Sequence, residues 1–326
     1  MKERVLWVDY AKGIGIILVV YGHVLRGLDS ANMGLSHAFF NLSDKLVYGF
    51  HMPLFFLLSG LFIESWAKKG FTKGVSQKAK FILIPYLVWS LLQGGVNVIL
   101  SSVTNNPLTW KELIINIWIA PIAQFWFLYV LFLMFVLFYF LRSVSSLRKT
   151  LIVSLILYVF APYLDYWVLK SLMTNFFFFI LGAKIMNFNL KRIEEKVSGT
   201  KYLIGSIIIF AVLNAVYLAL NLGIFSEHIF KLIIALLGVN LLIVISVHIS
   251  KLGIFKSIQN LGMLSMAIYL AHILVASGTR IILSKLLHVN NLYIHVIVGT
   301  LLGIVLPVIA YKISEKVKVN NIIFGR

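Results

Sequence analysis

The sequence contains no cysteine in its 326 residues. This absence excludes disulfide bonds, thiolate ligands for a metal, and an acyl group carried on a cysteine during a reaction. Charged residues are also scarce at 12%, whereas soluble domains carry roughly a quarter. With 60% hydrophobic residues and a mean hydropathy of +0.96, the composition is that of an integral membrane protein.

Acidic residues are the scarcest charged class. Eleven aspartates and glutamates stand against 29 lysines and arginines, which gives a net charge of +18. In a soluble protein this surplus would suggest nucleic acid binding. In a membrane protein it first indicates topology and contact with anionic lipid headgroups. We therefore expect membrane lipids as partners and no nucleic acid.

Ten apolar runs are long enough, at about 17 to 25 residues each, to cross a bilayer. We predict an all-α integral membrane protein, a bundle of about ten transmembrane helices with both termini in the cytoplasm. His23 and Arg26 interrupt the place where a signal-peptide cleavage site would lie, so we expect an uncleaved first span. The predicted spans are 13–29, 45–64, 80–101, 124–141, 150–167, 171–187, 202–221, 228–248, 261–285 and 292–312.

The basic residues fall mostly on one side of these spans. With the N-terminus in the cytoplasm, seven of the 29 lysines and arginines lie outside and the other 22 lie inside. This ratio fits the positive-inside rule. The seven outer residues are Arg26, Lys45, Lys111, Lys170, Lys231, Arg280 and Lys285.

The stretch VDYAKGIGIILVVYGHV, residues 8–24, places two ionisable side chains in the first span. Lys12 and His23 are eleven residues apart, so they return to within roughly 20° of one helix face, with a rise of roughly 16 Å. Asp9, three residues before Lys12, could hold the lysine by an i,i+3 contact. An intramembrane ionisable group indicates function by default. Two ordinary explanations stay open: Lys12 as a topology marker and His23 bonded to a neighbouring helix.

Two more histidines lie at membrane depth. His51, in FHMPLFFLLSG, is expected near the depth of His23, so the two rings could frame one site, unless His51 only anchors a helix kinked at Pro53. His272, in YLAHILVASGTR, lies mid-span in the ninth predicted helix. We predict no metal site, because no pair has the helical spacing of zinc ligands and no carboxylate accompanies them. His295 falls at a span end, where an ordinary structural role is expected.

Lys78 and Lys80, in QKAKFILIPYLVW, mark the cytoplasmic end of the third span. Together with Lys12 they would form a basic rim suited to a phosphate-bearing ligand from the cytosol. The same three lysines also fit the topology signal. Trp126, in QFWFLYVLFLMF, is expected in an aromatic belt at the outer interface.

These motifs resemble those of the membrane acyltransferase-3 family, which includes bacterial polysaccharide and lipopolysaccharide O-acetyltransferases and fucose O-acetylase-like proteins. The resemblance covers essentially the whole chain. It is carried by Asp9 followed by Lys12, ten residues and His23; by FHMPLFFLLSG at 50–60; by the basic cluster before LIPY at 83–86; by WFL at 126–128; and by YLAH at 269–272.

The resemblance implies a single transmembrane acyltransferase domain over residues 1–326 in the bacterial cytoplasmic (inner) membrane. Such a protein transfers an acyl group, commonly acetyl, from cytosolic acetyl-CoA or another acyl-CoA to a hydroxyl of a cell-surface or lipid-linked carbohydrate. By position, His23 resembles the proposed catalytic histidine and Lys12 the basic residue associated with the donor. Lys12 lies at a position where the family often has arginine, so the donor cannot be bound there by the bidentate fork of a guanidinium. The spacing of Lys78 and Lys80 also departs from the family's arginine-rich motif.

A mechanism follows as a hypothesis. The nucleotide end of acyl-CoA would stay at the basic rim while its thin arm reaches toward His23, which would accept the proton of the sugar hydroxyl. His51 would orient His23 or donate to the developing oxyanion. Trp126 and His272 are expected to support the site.

Two other functional classes stay open. A flippase or exporter of a lipid-linked sugar or polysaccharide would use the same histidines as a proton-linked path, although no internal repeat is evident in the sequence. A non-catalytic membrane scaffold would tolerate the loss of both His23 and His51.

Overall fold

The computed structural model describes residues 5–187 and 190–325, with all of their side chains except those of residues 191 and 192. Its regular elements in this part of the chain are helical, and no strand occurs there. The helices are α1 (Leu6–Ser30), α2 (His37–Tyr48), α3 (His51–Gly60), α4 (Ile63–Ala67), α5 (Phe71–Lys78), α6 (Ile84–Ile99), α7 (Trp110–Ile119), α8 (Trp126–Val144), α9 (Leu147–Phe160), α10 (Trp167–Met186), α11 (Leu190–Val197), α12 (Thr200–Ala219), α13 (Ile224–Leu252), α14 (Lys256–Met263), α15 (Ser265–Ile281), α16 (Leu292–Lys316) and α17 (Asn320–Ile323).

Short turns of other helical types join several of these helices. The 3-10 turns span Ala123–Phe125 and Ala161–Tyr163, and the π-helical turns span Ala79–Leu83 and Ile282–Leu286. Three residues assigned to the cytoplasmic side, Lys2, Arg4 and Arg326, lie outside the described residues.

Eight helical stretches of the described chain are long and apolar enough to cross a membrane. They confirm the prediction of an all-α, multi-pass membrane protein. The eight stretches are Leu6–Ser30, Phe71–Ile99, Trp110–Val144, Trp167–Met186, Thr200–Ala219, Ile224–Leu252, Ser265–Leu286 and Leu292–Lys316.

The other two predicted spans are built from shorter helices. The run 45–64 is divided among α2, α3 and α4. Pro53 lies in the first turn of α3, where its missing N–H is not needed, which suits a helix that begins anew at His51. The run 150–167 contains most of the 14-residue α9, which gives way to a 3-10 turn at Ala161. The number of ten spans and the side of each terminus stay predictions.

The chain divides into two units. Unit 1 comprises the described residues of Met1–Gly15, Lys45–Phe71 and Met134–Met263. Unit 2 comprises those of Ile16–Asp44, Thr72–Leu133 and Leu264–Arg326.

Unit 1 contains a close crossing of α3 and α10. A β-carbon built on Gly60 would lie 1.9 Å from the carbonyl oxygen of Phe179, and one on Gly182 would lie 2.0 Å from that of Leu57. Each helix therefore needs a glycine where the other's backbone approaches. Small residues of this kind let helices pack tightly in a membrane, where dispersion replaces the hydrophobic effect as the main attraction.

The first turns of α1 are held in unit 1 by α14 and by the short segment that precedes it. The hydroxyl of Tyr10 donates to the carbonyl of Ile254 at 2.8 Å. A β-carbon on Gly262 would lie 1.7 Å from the carbonyl oxygen of Asp9. This contact fixes the backbone at Asp9, one of the predicted site residues, and Asp9 itself is buried.

Unit 2 is organised around α15, which packs along α16 and also contacts α6. Gly303 of α16 faces Val20 and the carbonyl of His272, at 2.8 and 3.8 Å from the position of a β-carbon. Gly94 of α6 receives the side chain of Leu113 from α7, whose Cδ1 would lie 2.2 Å from a β-carbon. These close approaches hold the helices that carry the polar side chains described below.

The α3–α10 crossing predicts that a methyl group added at either of its glycines lowers the stability of the protein. Gly60→Ala and Gly182→Ala each force the two backbones apart, and overpacking of this kind typically destabilises by about 1–3 kcal/mol. We expect both variants to unfold earlier than the wild type when the protein is denatured in detergent.

The matched control is Gly205→Ala in α12, which meets no atom within 4 Å and gains helix propensity. If Gly60→Ala and Gly182→Ala were as stable as Gly205→Ala, the packing assigned to these glycines would be wrong.

Candidate functional site

A cavity of about 490 Å³ lies within unit 2. Its volume is within the usual range for small-molecule sites. Residues of α1, α6, α7, α15 and α16 line it, together with the segments between α6 and α7 and between α7 and α8. The polar side chains in its wall include His23, Arg26, Gln93, Asn97, Arg280 and His295.

His23 and His272 lie next to each other in unit 2. Their ring centroids are 5.1 Å apart and the rings are tilted by 52°. His23 lies in α1 and is half-buried in the cavity wall, whereas His272 lies in α15 and is fully buried. The two histidines of the predicted first and ninth spans are thus brought together.

The backbone of α15 selects the tautomer of the His272 ring. Its Nδ1 lies 2.7 Å from the carbonyl oxygen of Tyr269 and 3.1 Å from that of Ile268. Because a carbonyl only accepts, Nδ1 carries a proton, and the neutral ring presents a lone pair at Nε2. Within the described part of the chain, this buried Nε2 has no hydrogen-bond partner.

An amide pair holds the segment of α15 that carries His272. Gln93 and Gln124 exchange side-chain hydrogen bonds of 3.1 and 2.8 Å. The Nε2 of Gln124 also donates to the carbonyl of Leu270 at 3.3 Å, and the hydroxyl of Tyr269 donates to the carbonyl of Gln124. Buried polar groups satisfied in this way rigidify a site.

The segment between α6 and α7 is fixed as a wall of the cavity by asparagines. Asn97 donates to the carbonyl of Asn106 at 3.0 Å and accepts from the N–H of Leu108 at 2.8 Å. Asn105 donates to the carbonyl of Gly27 at 3.1 Å. The end of α1 and this segment are therefore joined on the side of the cavity that contains Arg26.

Three of the predicted site residues belong to unit 1, namely Asp9, Lys12 and His51. The Nδ1 of His51 donates to the carbonyl of Val47 at 2.7 Å, and its ring meets that of Tyr48 edge to face at 4.5 Å. His51 is 1% exposed. Its predicted role beside His23 stays a prediction.

The other predicted residues belong to unit 2. Lys78 ends α5, and Lys80 lies in the π-helical turn that follows, with its Nζ 5.9 Å from the ring centroid of Phe81. Trp126 begins α8 and is half-buried. None of the three lines the cavity. The basic rim and the aromatic belt stay predictions.

Several residues of the site were missed by sequence reasoning. Gln93 and Gln124 are amides within apolar runs, and polarity at membrane depth is the signal that would have found them. The sequence indicates only a topology role for Arg280 and a structural role for His295, yet both line the cavity. The described residues contain no group of three or more histidines and acids that could hold a metal ion.

Known proteins that are similar to this chain agree with the sequence motifs. A family model described as an acyltransferase domain, acyltransferase 3, matches residues 5–312. The nodulation protein NolL of Mesorhizobium japonicum is 33% identical over 164 residues, which cover 49% of this chain and 42% of that protein. NolL of Sinorhizobium fredii is 38% identical over 95 residues, which cover 28% and 25%.

These alignments span less than half of either relative, and no solved structure matches the chain. The family match, by contrast, extends from the start of α1 into α16 and includes the candidate site. The chain belongs to the acyltransferase-3 family.

Proposed function

We propose that this protein transfers an acyl group, commonly acetyl, from acyl-CoA to a hydroxyl of a cell-surface or lipid-linked carbohydrate. The observation that carries the proposal is the placement of His23 beside the buried His272 at a polar cavity, in a chain of the acyltransferase-3 family. Both relatives are bacterial proteins. We accordingly assign the chain to the bacterial cytoplasmic membrane.

The cavity suits a carbohydrate acceptor. Hydroxyl and amide side chains, among them Ser30, Thr104, Asn116 and Ser277, share its wall with apolar ones. This mixture fits a sugar, whose ring is apolar on its faces and polar at its edge. A sugar bound there would have its hydroxyls within the same cavity as the imidazole of His23.

His23 acts as the general base in this proposal. Its neutral imidazole accepts the proton of the sugar hydroxyl while the oxygen forms a bond to the acyl carbon and the carbon–sulfur bond breaks. The protonated ring then returns this proton to the leaving sulfur. An unperturbed imidazole suits both steps near neutral pH.

His272 acts through His23. Because the Nδ1–H of His272 is committed to carbonyls of its own helix, only the lone pair of Nε2 is left for its neighbour. A buried lone pair stabilises the positive charge that His23 acquires when it takes the proton. His272 is therefore a positioning residue, and the Gln93–Gln124 pair holds the backbone from which it projects.

The basic rim binds the phosphates of the donor. Ammonium groups bind phosphate as point charges, and Lys12, Lys78 and Lys80 supply three of them. Asp9 restrains Lys12 through the i,i+3 contact expected on a helix. Because the Nδ1–H of His51 is committed to the carbonyl of Val47, its neutral ring has no donor left for an oxyanion, and we assign His51 to orienting His23. Trp126 supports the site.

His23→Gln tests the assignment of the base. Gln cannot exchange a proton, and loss of a general base typically slows a reaction about 10²–10⁴-fold. We expect kcat for transfer from acetyl-CoA to the host glycan to fall by that factor in the purified protein. His272→Gln should lower kcat with little change in the KM of either substrate, because it touches neither one.

His248→Gln is the matched control, since His248 is also a histidine within a membrane-spanning helix and is bonded to its own helix through Val244. Full transfer activity in a folded His23→Gln protein would show that His23 is not the general base.

Binding of labelled acetyl-CoA tests the donor site. Lys12→Gln should raise its dissociation constant about tenfold or more, since a hydrogen bond to a charged group is worth roughly 1.5–3 kcal/mol. Lys78→Gln and Lys80→Gln should act in the same direction. The control is Lys111→Gln in α7, which is exposed and predicted to lie on the outer side. A wild-type protein that binds no acetyl-CoA would favour the exporter.

A further inference from the structure

The unit 2 cavity carries a positive charge that no acid of the described chain balances. Arg280, at the end of α15, lines the cavity and is half-buried. Among the described residues, its guanidinium has neither an ion pair nor a hydrogen bond. Arginine stays charged throughout the physiological pH range. The charge therefore belongs permanently to the cavity wall.

Arg26, the other arginine that lines the cavity, has an acidic partner, unlike Arg280. Arg26 donates from Nε and Nη2 to the two carboxylate oxygens of Asp44, at 2.6 and 3.0 Å, so its charge is already matched. No aspartate or glutamate lines the described cavity. Partly removing an ion from water is costly unless an opposite charge lies near it. An anionic ligand at Arg280 would offset that cost.

We propose that Arg280 binds an oxyanion, a phosphate or a carboxylate, that is part of the carbohydrate acceptor. A guanidinium presents parallel N–H donors in the fork that matches both groups bidentately. The inference rests on the proposed function, because it takes the cavity as the acceptor site. It adds that the acceptor is an acidic carbohydrate.

The position of Arg280 separates the anionic group from the hydroxyl that reacts. Arg280 lies eight residues after His272 in the same helix, a rise of roughly 12 Å. His272 is the neighbour of His23, where the acyl group is transferred in the proposed mechanism. Between them, Ala276 and Ser277 also line the cavity. The oxyanion is thus a recognition group on a part of the acceptor remote from the reacting hydroxyl.

His295 indicates that the ligand also carries hydroxyl groups. Its Nε2–H donates to the carbonyl of Val289 at 2.8 Å, so its Nδ1 presents a lone pair. In the described chain this buried Nδ1 has no hydrogen-bond partner. A lone pair accepts from a hydroxyl and disfavours an anion. An acidic sugar supplies both groups, the oxyanion for Arg280 and a hydroxyl for His295.

Sugar binding measured without any acyl donor tests this inference. The purified full chain is kept in a polyoxyethylene detergent, which contains neither sugar nor phosphate, and is titrated calorimetrically with glucose 1-phosphate, glucuronate and glucose at equal ionic strength. We expect both acidic sugars to bind at least tenfold more tightly than glucose. Arg280→Gln should abolish this preference, and Arg280→Lys should keep only part of it, because lysine retains the charge but loses the fork.

Lys285→Gln is the control, because it removes the same charge from the π-helical turn that follows α15, at an exposed residue outside the cavity wall. It should leave the preference unchanged. The inference is overturned if the wild type binds neither acidic sugar, if glucose binds equally well, or if Arg280→Gln keeps the preference.

A second arm adds phosphatidylglycerol to distinguish the source of the oxyanion. If this lipid binds in an Arg280-dependent manner and displaces the acidic sugars, the oxyanion belongs to a lipid headgroup and the acceptor assignment is wrong. Failure of the lipid to compete supports the acceptor. Because no donor is present, a negative result here leaves acyl transfer by His23 standing, and a failure of transfer leaves this binding result intact.

Discussion

The hydrogen bond from the Nδ1–H of His272 to the carbonyl of Tyr269 constrains the rest of the unit 2 site. It commits one ring nitrogen to the backbone and leaves the other as a buried lone pair beside His23. The carbonyl stays in place because the neighbouring residues of α15 are bonded to Gln124, which is paired in turn with Gln93. A network of neutral groups thereby prepares one imidazole to accept a proton.

Membrane packing explains how such a polar network is accommodated. In lipid, each buried polar group must find a partner inside the protein, so polar side chains gather where helices approach closely. Gly94 and Gly303 provide this approach in unit 2, and Gly60 and Gly182 provide it in unit 1. At the cavity, by contrast, Arg280 has no acidic partner and Nδ1 of His295 has no hydrogen-bond partner among the described residues. These two groups indicate the chemistry of the ligand that we propose for the cavity.

The helical, membrane-spanning character of the chain was predictable because hydropathy acts over long windows. The helix containing Lys12 and His23 was predictable too, and it runs without a break from Leu6 to Ser30. The division of the run 45–64 into three helices was not predictable, because hydropathy averaged over a long window does not show where one helix ends and the next begins.

The partners of His23 were also beyond sequence reasoning. Depth in the membrane can be read from residue position, but the rotation of one helix against another cannot, so His272 was placed at a plausible depth and not next to His23. The Gln93–Gln124 pair joins residues 31 positions apart, a separation that no local pattern encodes. The sequence identifies Arg280 only as a topology residue, because a charge count does not reveal whether an arginine has an acidic partner.

In the proposed function, this chain adds an acyl group to a carbohydrate through His23. The most direct measurement is mass spectrometry of the host's surface glycan in the wild-type strain, a deletion strain, and the deletion strain complemented with either the wild-type gene or His23→Gln. We expect deletion to remove the mass of an acyl group from an otherwise intact glycan, and only the wild-type gene to restore it. The proposed function is wrong if the glycan is unchanged after deletion, if the whole glycan is lost, or if His23→Gln restores the acyl group.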